Sequence, residues 1–564
     1  MPISVPRFLS VRWYLPACSS ISSSRENAGY MPTLSWIGKD KVINHHTEVP
    51  FRVLEHKYGY RGENPTDTSE NHSGNKIIHG DNLEALKALL PEYEGKIDCV
   101  YIDPPYNTGE EEWVYNDNVN DPQIKKWLGE VVGAEGEDFS RHDKWLCMMY
   151  PRLRLLRQML SKEGVIFISI DDNELYNLKC ICDEIFGGGN FIATFIWEKR
   201  KNRENRKVVS YRHDYILCYC FDKRNSDRCL KLLPMTAEAL SRYQNPDNDP
   251  RGPWKSDPAT AQAGHATESQ FYTLIAPNGR RHDLPNGRCW LYTEEVMKRE
   301  IAEGRIWFGA TGNNVPRKKT YLYEKERGLT PETILFADDV ATNEIAKNNL
   351  KDIFPEQIPF TTPKPYQLIK HLLQLASNND SIVLDAFAGS GTTAHAALVI
   401  NKEADSDRKF ILIESNDYAE DITAERVRRV IKGYGEGDAI VEGLGGSFDY
   451  YELGEPLFLP DGNLNESVGT DKIREYIYYS ETHDHLTRPQ SKDYPYLLDY
   501  LDDSGYFFYY EPDNLTTLSH DTLNIVPQEA SHYVIYADIC TISKEQLSKM
   551  NIVFKKIPRD IKRF

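Results

Sequence analysis

From Asn75 onward the sequence repeats one unit, in which a short apolar segment is followed by a turn and an amphipathic segment. "KIIHGDNLEALKALL" predicts a strand, then Asp81 or Asn82 as a helix N-cap, then leucines at helical spacing. "KIDCVYIDPPY" and "GVIFISIDDNELYNLKCICDEIFG" also begin with apolar strands that end at acidic residues. Alternating strands and helices of this kind favour an α/β fold with a doubly wound, mainly parallel sheet.

The second of these strands ends in Asp103-Pro104-Pro105-Tyr106. Doubly wound sheets bind ligands outside the C-terminal ends of their strands, which is where this tetrapeptide falls. Two prolines fix the backbone and lack N–H donors, so the loop presents the Asp103 carboxylate and carbonyl oxygens as acceptors. The exocyclic amine of a nucleobase offers two N–H donors, and Tyr106 offers a face for stacking.

Such a loop also suggests a chemistry. If Asp103 and the Pro104 carbonyl each accept one hydrogen of the amine, they direct its lone pair at an electrophile and stabilise the positive charge that develops. Taken alone, however, the motif fits an ordinary Asp-Pro turn. A second site is needed to decide.

"SIVLDAFAGSGTTAHAAL" contains a second strand end that is suited to binding a ligand. It predicts a strand ending in Asp385, a glycine loop at 388–391 and a helix beginning near Thr392, where backbone N–H groups can approach a ligand. It is not a P-loop, because no Lys follows the glycines, and Thr393 replaces the third glycine of a dinucleotide fingerprint. The next strand ends in Glu414, placed as the acid that grips ribose hydroxyls. The two loops together describe a nucleoside cofactor facing a nucleobase.

Asp103-Pro104-Pro105-Tyr106 ahead of Phe387-Ala388-Gly389-Ser390-Gly391 resembles the S-adenosylmethionine-dependent amino-methyltransferases of DNA, in the permuted beta order with the catalytic half first. The likeness covers about residues 76–432 and points to the modification (Mod) subunits of type III restriction systems. It implies a seven-stranded Rossmann-like methyltransferase sheet and methyl transfer to the N6 amine of a flipped adenine in DNA. Transfer to cytosine N4 or to RNA, and a non-enzymatic DNA- or nucleotide-binding role, remain alternatives.

The resemblance also implies roles for individual residues. The catalytic positions are Asp103, Pro104, Pro105 and Tyr106. The cofactor positions are Asp81, Lys364, Pro365, Asp385, Phe387, Ala388, Gly389, Ser390, Gly391, Thr392 and Glu414. For Asp81 an N-cap role is equally open. No metal is implied, and helix capping accounts best for Asp171, Asp172 and Glu174.

The segment 198–358, between the two halves, is too long to be a loop. Its opening stretch "EKRKNRENRKVVSYRHDY" is strongly basic, through Lys199, Arg200, Lys201, Arg203, Arg206 and Lys207. Charge runs are usually solvated faces, but beside a base-flipping pocket they suit phosphate contacts, while Arg and Asn further on suit base readout. We expect a target recognition domain here, with its first strands available to complete the sheet.

The rest of the chain divides around this insert. The catalytic half spans 75–197 and the cofactor half 359–434, preceded by an extension at 31–74 and followed by an acidic, tyrosine-rich α+β domain at 435–564 that is a candidate for partner docking. Residues 1–30 show no period and no secretion signal, whereas Met31 opens a more ordinary sequence. We expect either a true start at Met31 or a disordered N-terminal arm.

Composition limits the partners only weakly. The formal net charge of −18 argues against a polyanionic ligand, but salt screens charges beyond about 8 Å, so a local basic patch can still bind DNA. No apolar run approaches the roughly 20 residues of a membrane span, which predicts a cytoplasmic protein without a membrane partner. The ten cysteines lack zinc-site spacing. Expected partners are double-stranded DNA and either a second copy of the chain or a separate restriction subunit, since no helicase P-loop is present.

Overall fold

The computed structural model describes residues 33–62, 69–108, 137–204, 208–225, 229–324, 328–356, 360–488, 490, 492–526 and 530–559. The predicted arm at 1–30 and the basic residues Arg206 and Lys207 lie outside these ranges. Nowhere in the ranges given is a helix both long and apolar enough to cross a membrane.

Within the described ranges, ten strands form one large mixed sheet in the order β1-β10-β2-β9-β8-β3-β4-β6-β5-β7. In chain order they are β1 Arg52–Arg61, β2 Lys76–His79, β3 Ile97–Ile102, β4 Leu160–Ile170, β5 Phe191–Glu198, β6 His213–Cys220, β7 Ile334–Leu335, β8 Ile382–Asp385, β9 Lys409–Glu414 and β10 Ser447–Pro456. The neighbours from β10 to β4 are parallel, and β6 runs antiparallel to both β4 and β5. The predicted α/β class with a mainly parallel sheet is confirmed.

The sheet is wider than the seven strands expected from the sequence. The seven consecutive strands from β2 to β5 come from the two halves and from the start of the insert. At one edge, β10 pairs parallel with β2, and β1 pairs antiparallel with β10; at the other edge, β7 pairs parallel with β5. The extension before residue 75 and the segment after residue 435 therefore contribute strands to this sheet. No local sequence pattern predicts this pairing between distant segments.

Helices cover both faces of the sheet. Those that flank it are α1 Asn82–Tyr93, α2 Glu137–Met159, α3 Leu175–Cys182, α4 Asn343–Ile353, α5 Tyr366–Ala376, α6 Thr392–Ala404 and α7 Glu425–Lys432. The apolar side chains of α1 to α3 share one buried cluster with one face of the sheet, and those of α4 to α7 share a second cluster with the other face. The strands between them are almost continuously buried, as parallel strands covered on both faces must be.

Two smaller units complete the described chain. The insert carries short strands at Trp254–Pro258, Thr260–Gln262, Leu274–Ile275, Arg281–His282, Arg288–Trp290, Ile306–Trp307 and Arg317–Tyr321, with helices at Ala237–Ser241, Glu294–Ala302 and Ala337–Val340. The C-terminal region carries strands at Gly433–Tyr434, Val441–Glu442, Leu497–Leu501, Ser504–Phe508, Thr517–Leu518, His532–Ala537, Ile539–Cys540 and Ile552–Lys556, with helices at Thr470–Thr482 and Lys544–Lys549. Two further short helices, Lys39–Val42 and His45–Glu48, precede β1. Each of the two units has an apolar cluster of its own.

Candidate active site

β3 and β8 are neighbouring strands inside the sheet, and their C-terminal ends lie side by side. The two strands pair in parallel register, with Cys99 opposite Val383. The residues that follow each strand therefore meet, although they are separated by nearly half of the chain. Asp103 and Asp385 both line one cavity of about 680 Å³, together with the loops that follow them.

The Asp103–Tyr106 loop is held from behind by α2. Trp145, fully buried on that helix, donates its Nε1 hydrogen to the Pro105 carbonyl at 2.7 Å. Among the described residues no donor contacts the Pro104 carbonyl. One carbonyl of the double proline is thus committed to the fold, and the one predicted to accept from a substrate is available.

A buried carboxylate, Glu174, fastens the residue that follows this loop. Asn107 is fully buried with a left-handed φ of 58°, and its amide donates to Glu174. Glu174 also accepts from the Asn177 amide at 2.8 Å and pairs with Nδ1 of His142 at 2.6 Å. Burial raises the pKa of the Glu174 carboxyl.

This arrangement corrects the capping role predicted for Glu174. The residue stands at the N-cap of α3, yet its side chain makes no capping hydrogen bond. It turns instead toward the catalytic loop, because β4, which it follows, is the sheet neighbour of β3. The available sequence signal was its position just after a strand end, the same signal that singled out Asp103.

Lys364 lies directly on the predicted catalytic carboxylate. Its Nζ is 2.7 Å from one oxygen of Asp103 and 2.5 Å from the other. The same Nζ lies 4.9 Å from the ring centroid of Tyr106. The hydroxyl of Thr392 donates to the Lys364 carbonyl at 3.3 Å. The sequence placed Lys364 beside the cofactor, and the structure places it between the cofactor loop and Asp103.

The glycine loop takes a backbone shape that requires its glycines. Gly389 has φ of 52° and Gly391 has φ of 77°, and a Cβ at Gly389 would come within 3.3 Å of the Phe360 ring. The Gly389 N–H donates to the Glu414 carboxylate at 2.7 Å. Glu414, 1% exposed at the end of β9, also accepts from the backbone and side-chain amides of Asn416. Burial raises the pKa of Glu414.

Asp385 anchors the loop from the end of β8. Its carboxylate accepts from the Phe387 N–H at 3.0 Å and from the Thr393 hydroxyl. Burial, with smaller contributions from the charges of Asp103 and Glu414, raises the pKa of Asp385 to about 7. Asp103, Asp385 and Glu414 therefore all line one cavity.

Arg426, which the sequence analysis did not single out, holds the back of the glycine loop. Its guanidinium is 1% exposed and donates to the hydroxyls of Ser390 and Thr392, each at 2.8 Å. It also contacts Nδ1 of His395 at 3.3 Å. Burial lowers the pKa of Arg426 to about 10. In "AERVRRVIKG" Arg426 stands four residues before Val430, on the buried stripe that also holds Val427 and Ile431, so its position on the apolar face of the helix was the available sequence signal.

Two predicted cofactor residues occupy helix caps. The Asp81 carboxylate accepts from the backbone N–H groups of Leu83 and Glu84 at the start of α1 and pairs with Arg152 at 3.2 Å. It does not line the cavity, so of its two predicted roles the structure shows the N-cap. Pro365 is the N-cap residue of α5, where its fixed backbone starts the helix directly after Lys364.

The basic segment of the insert does not form a row of unpaired cations. Lys199 pairs with the buried Asp214 at 2.6 Å, and both residues line the cavity that contains Asp103. Arg200 pairs with Glu204 at 3.4 Å, and Lys201 pairs with Asp338. Arg200, Lys201 and Arg203 are exposed. Lys199 is therefore a wall of the cavity, in contrast to the solvent-facing phosphate contact that the sequence suggested.

The fold and the site together define an α/β protein of the methyltransferase class, with an acceptor loop and a glycine loop on adjacent strand ends. The chain belongs to a DNA methylase family, N6_N4_Mtase, whose model matches residues 97–425. The resemblance inferred from the two motifs is thereby confirmed.

Individual relatives come from type III and type II systems. The Mod subunit of the type III restriction-modification enzyme StyLTI of Salmonella typhimurium is 34% identical over 429 residues, which cover 72% of this chain and 63% of that one. The EcoP15I Mod subunit of Escherichia coli is 29% identical over 69% of this chain and 65% of its own. The type II methyltransferase M.KpnI of Klebsiella pneumoniae is 30% identical over 61% of this chain and 81% of its own. The alignments thus span less than two thirds of either Mod subunit.

Proposed function

We propose that this protein transfers a methyl group from S-adenosylmethionine to the N6 amine of an adenine flipped out of double-stranded DNA, as the modification component of a restriction-modification system. The observation that carries the proposal is the single cavity of about 680 Å³ lined by both the Asp103 loop and the glycine loop. A methyl donor and an acceptor base have to meet in one such space, because the transfer is a direct displacement between them.

The residues of the glycine loop fit S-adenosylmethionine. The loop ends at the N-terminus of α6, where backbone N–H groups favour an anionic group such as the methionine carboxylate. Gly389 combines a left-handed backbone with a close approach to the Phe360 ring, so glycine suits this position and the loop presents its backbone to the cavity. Glu414 stands at the strand end suited to ribose hydroxyls. When bound, the cofactor supplies an electrophilic methyl group on a sulfonium.

The Asp103 loop activates the other reactant. In this proposal the Asp103 carboxylate and the Pro104 carbonyl accept the two hydrogens of the adenine amine, whose lone pair then points toward the methyl donor. The acceptors also stabilise the positive charge that grows on the nitrogen. Tyr106 stacks against the base, and burial beside Asp103 keeps the pKa of its hydroxyl well above its usual range, so the ring stays neutral.

DNA contacts are assigned to the insert at 198–358. Its exposed Arg200, Lys201 and Arg203 follow β5, directly beside the cavity, and suit contacts with phosphates on either side of a flipped base. Lys319 does not suit base readout, since it is buried and bound to Asp249 at 2.7 Å. The Mod relatives are named as subunits of restriction-modification enzymes, which supports a separate restriction subunit as a partner of this chain. In this proposal the protein works where the DNA is, which for bacterial relatives is the cytoplasm.

A transfer assay followed by sequencing tests the proposal. The protein is incubated with tritiated S-adenosylmethionine and mixed genomic DNA, and the product is sequenced for modified bases. We expect N6-methyladenine at one short sequence, and tritium transfer by Asp103→Ala should be slower by about 100-fold or more. N4-methylcytosine in the product would replace the base assignment, and absence of transfer by the wild type would refute the proposal. Light scattering, alone and with a candidate restriction subunit, tests for a second copy and for the partner.

A further inference from the structure

The ion pair between Lys364 and Asp103 has no part in the methyl transfer described so far. The Lys364 ammonium bridges both carboxylate oxygens of Asp103, at 2.7 and 2.5 Å, and lies 4.9 Å from the ring centroid of Tyr106. The side chains of Lys364 and Asp103 are 12% and 24% exposed. The ammonium therefore occupies the space between the acceptor carboxylate and the stacking ring.

This space is the one that the mechanism reserves for the target amine. An ammonium and an exocyclic amine are both N–H donors, so they compete for the same acceptor oxygens of Asp103. A lysine cation left in place would also oppose the positive charge that develops on the amine nitrogen. Lys364 must therefore leave Asp103 before the methyl group is transferred.

The surroundings of Lys364 connect its departure to the cofactor. Its carbonyl accepts from the hydroxyl of Thr392, the first residue of α6, and its side chain lines the same cavity as Gly389 and Ser390. A poorly solvated cation that gives up one carboxylate needs another anion close by. The methionine part of the cofactor carries a carboxylate, and the glycine loop beside Lys364 is its proposed cradle.

We propose that Lys364 is a stand-in for the target amine: it holds the Asp103 carboxylate before the cofactor binds, and pairs with the cofactor carboxylate afterwards, so that the amine site opens only once the cofactor is bound. This inference rests on the proposed function and adds an order of binding to it. Lys364 acts as a positioning residue, because it works through Asp103 and through the cofactor and does not bond to the reacting atoms.

A calorimetric double-mutant cycle tests the release without any DNA. The ligand is S-adenosylhomocysteine, which keeps the carboxylate of the cofactor and lacks the methyl group to be transferred. Asp103→Ala should bind it about 5-fold more tightly than the wild type, because Lys364 no longer has to be detached from Asp103. Lys364→Met should lose only about 2-fold in affinity in the wild-type background, and about 10-fold in the Asp103→Ala background.

Controls make the cycle specific. Lys370→Met removes a lysine of α5 that pairs with Glu403 at the surface, and it should leave the affinity unchanged in both backgrounds. If Lys364→Met does not melt like the wild type, Lys364→Gln takes its place in the cycle. An equal loss of affinity in the two backgrounds would overturn the inference. Failure of the wild type to bind S-adenosylhomocysteine at all would refute the proposed function instead.

Base flipping provides the second readout. The duplex carries the sequence identified by the transfer assay, with 2-aminopurine beside the target adenine so that the target keeps its own amine. In the wild type, fluorescence should rise several-fold only when S-adenosylhomocysteine is present, whereas Lys364→Met should show the rise without it. Flipping by the wild type without the ligand, or a continued requirement for it in Lys364→Met, would show that Lys364 does not close the amine site.

Discussion

Replacing Glu174 should disable the active site from outside it. Glu174 touches neither the proposed cofactor nor the base, yet it is fully buried and binds Asn107, the residue that directly follows the Asp103–Tyr106 loop. Glu174→Ala leaves the buried amide of Asn107 without its acceptor, at a cost of about 1–3 kcal/mol. The other two partners, His142 and Asn177, are partly exposed and can turn to water.

The cost to catalysis should exceed the cost to stability. Asn107 directly follows the loop and its buried amide is held by Glu174, so the loop should shift when this contact is removed. A displacement of about 1 Å at a reacting group lowers a rate by about 100-fold. We therefore expect Glu174→Ala to lower kcat by about 100-fold while the free energy of unfolding falls by only about 2 kcal/mol. Glu174→Gln keeps the volume and one acceptor oxygen and should fall between this variant and the wild type.

Three measurements separate these effects. Tritium transfer at saturating cofactor gives kcat, calorimetry with S-adenosylhomocysteine gives the cofactor affinity, and urea unfolding gives stability. The cofactor affinity should stay within about 2-fold of wild type, because Trp145 and Glu174 support the Asp103 loop and not the glycine loop. Glu48→Gln, a change at an exposed acid of the N-terminal region, is the matched control. A folded Glu174→Ala with kcat within a factor of three of wild type would show that the brace does not position the loop.

Three further changes probe the cofactor half. Gly389→Val should abolish binding of S-adenosylhomocysteine, because the backbone there has φ of 52° and a Cβ would meet Phe360 at 3.3 Å; unchanged affinity by calorimetry would contradict this. Arg426→Lys replaces a planar guanidinium, which contacts both hydroxyls of the glycine loop and His395, by a single nitrogen, and should weaken cofactor binding by about 10-fold; a wild-type affinity would show that the guanidinium only fills space. Asp385 has its pKa raised from 3.8 to about 7, so its neutral form is favoured in the folded state. The contribution of Asp385 to the free energy of unfolding is therefore complete below about pH 4 and is lost as the pH rises through 7, by about 4 kcal/mol in all. Asp385→Asn should flatten the pH dependence of urea unfolding between these pH values, and an unchanged slope would refute the assignment.

The sequence predicted the parts of the site that consist of contiguous residues. A strand followed at once by Asp103 and two prolines, and a strand followed at once by a glycine loop, can be located without knowing how the strands pair. The rule that doubly wound sheets bind at the C-terminal strand ends then brings both loops to one edge. The structure places them on adjacent strands, with Cys99 opposite Val383.

The parts that the sequence could not supply are contacts between distant residues that are individually ordinary. Glu174 meets Asn107 across 67 residues, and Arg426 meets Ser390 across 36, and neither pair has a spacing that marks it. For the basic segment the composition suggested solvent-facing cations throughout; Arg200, Lys201 and Arg203 are exposed, but Lys199 pairs with the buried Asp214. Charge patterns in a sequence show where cations are, but the tertiary fold decides which of them are already neutralised.

The ion pair of Lys199 limits which residues of the basic segment can contact DNA phosphates. A lysine that pairs with Asp214 inside the cavity has exchanged its hydration for a carboxylate and gains little from an additional phosphate. Arg200, Lys201 and Arg203 are exposed, and the surface pairs that two of them form with Glu204 and Asp338 are weak enough for a phosphate to displace. We therefore propose that contacts with the DNA backbone begin at Arg200, and that Lys199 belongs with the residues around the proposed flipped base.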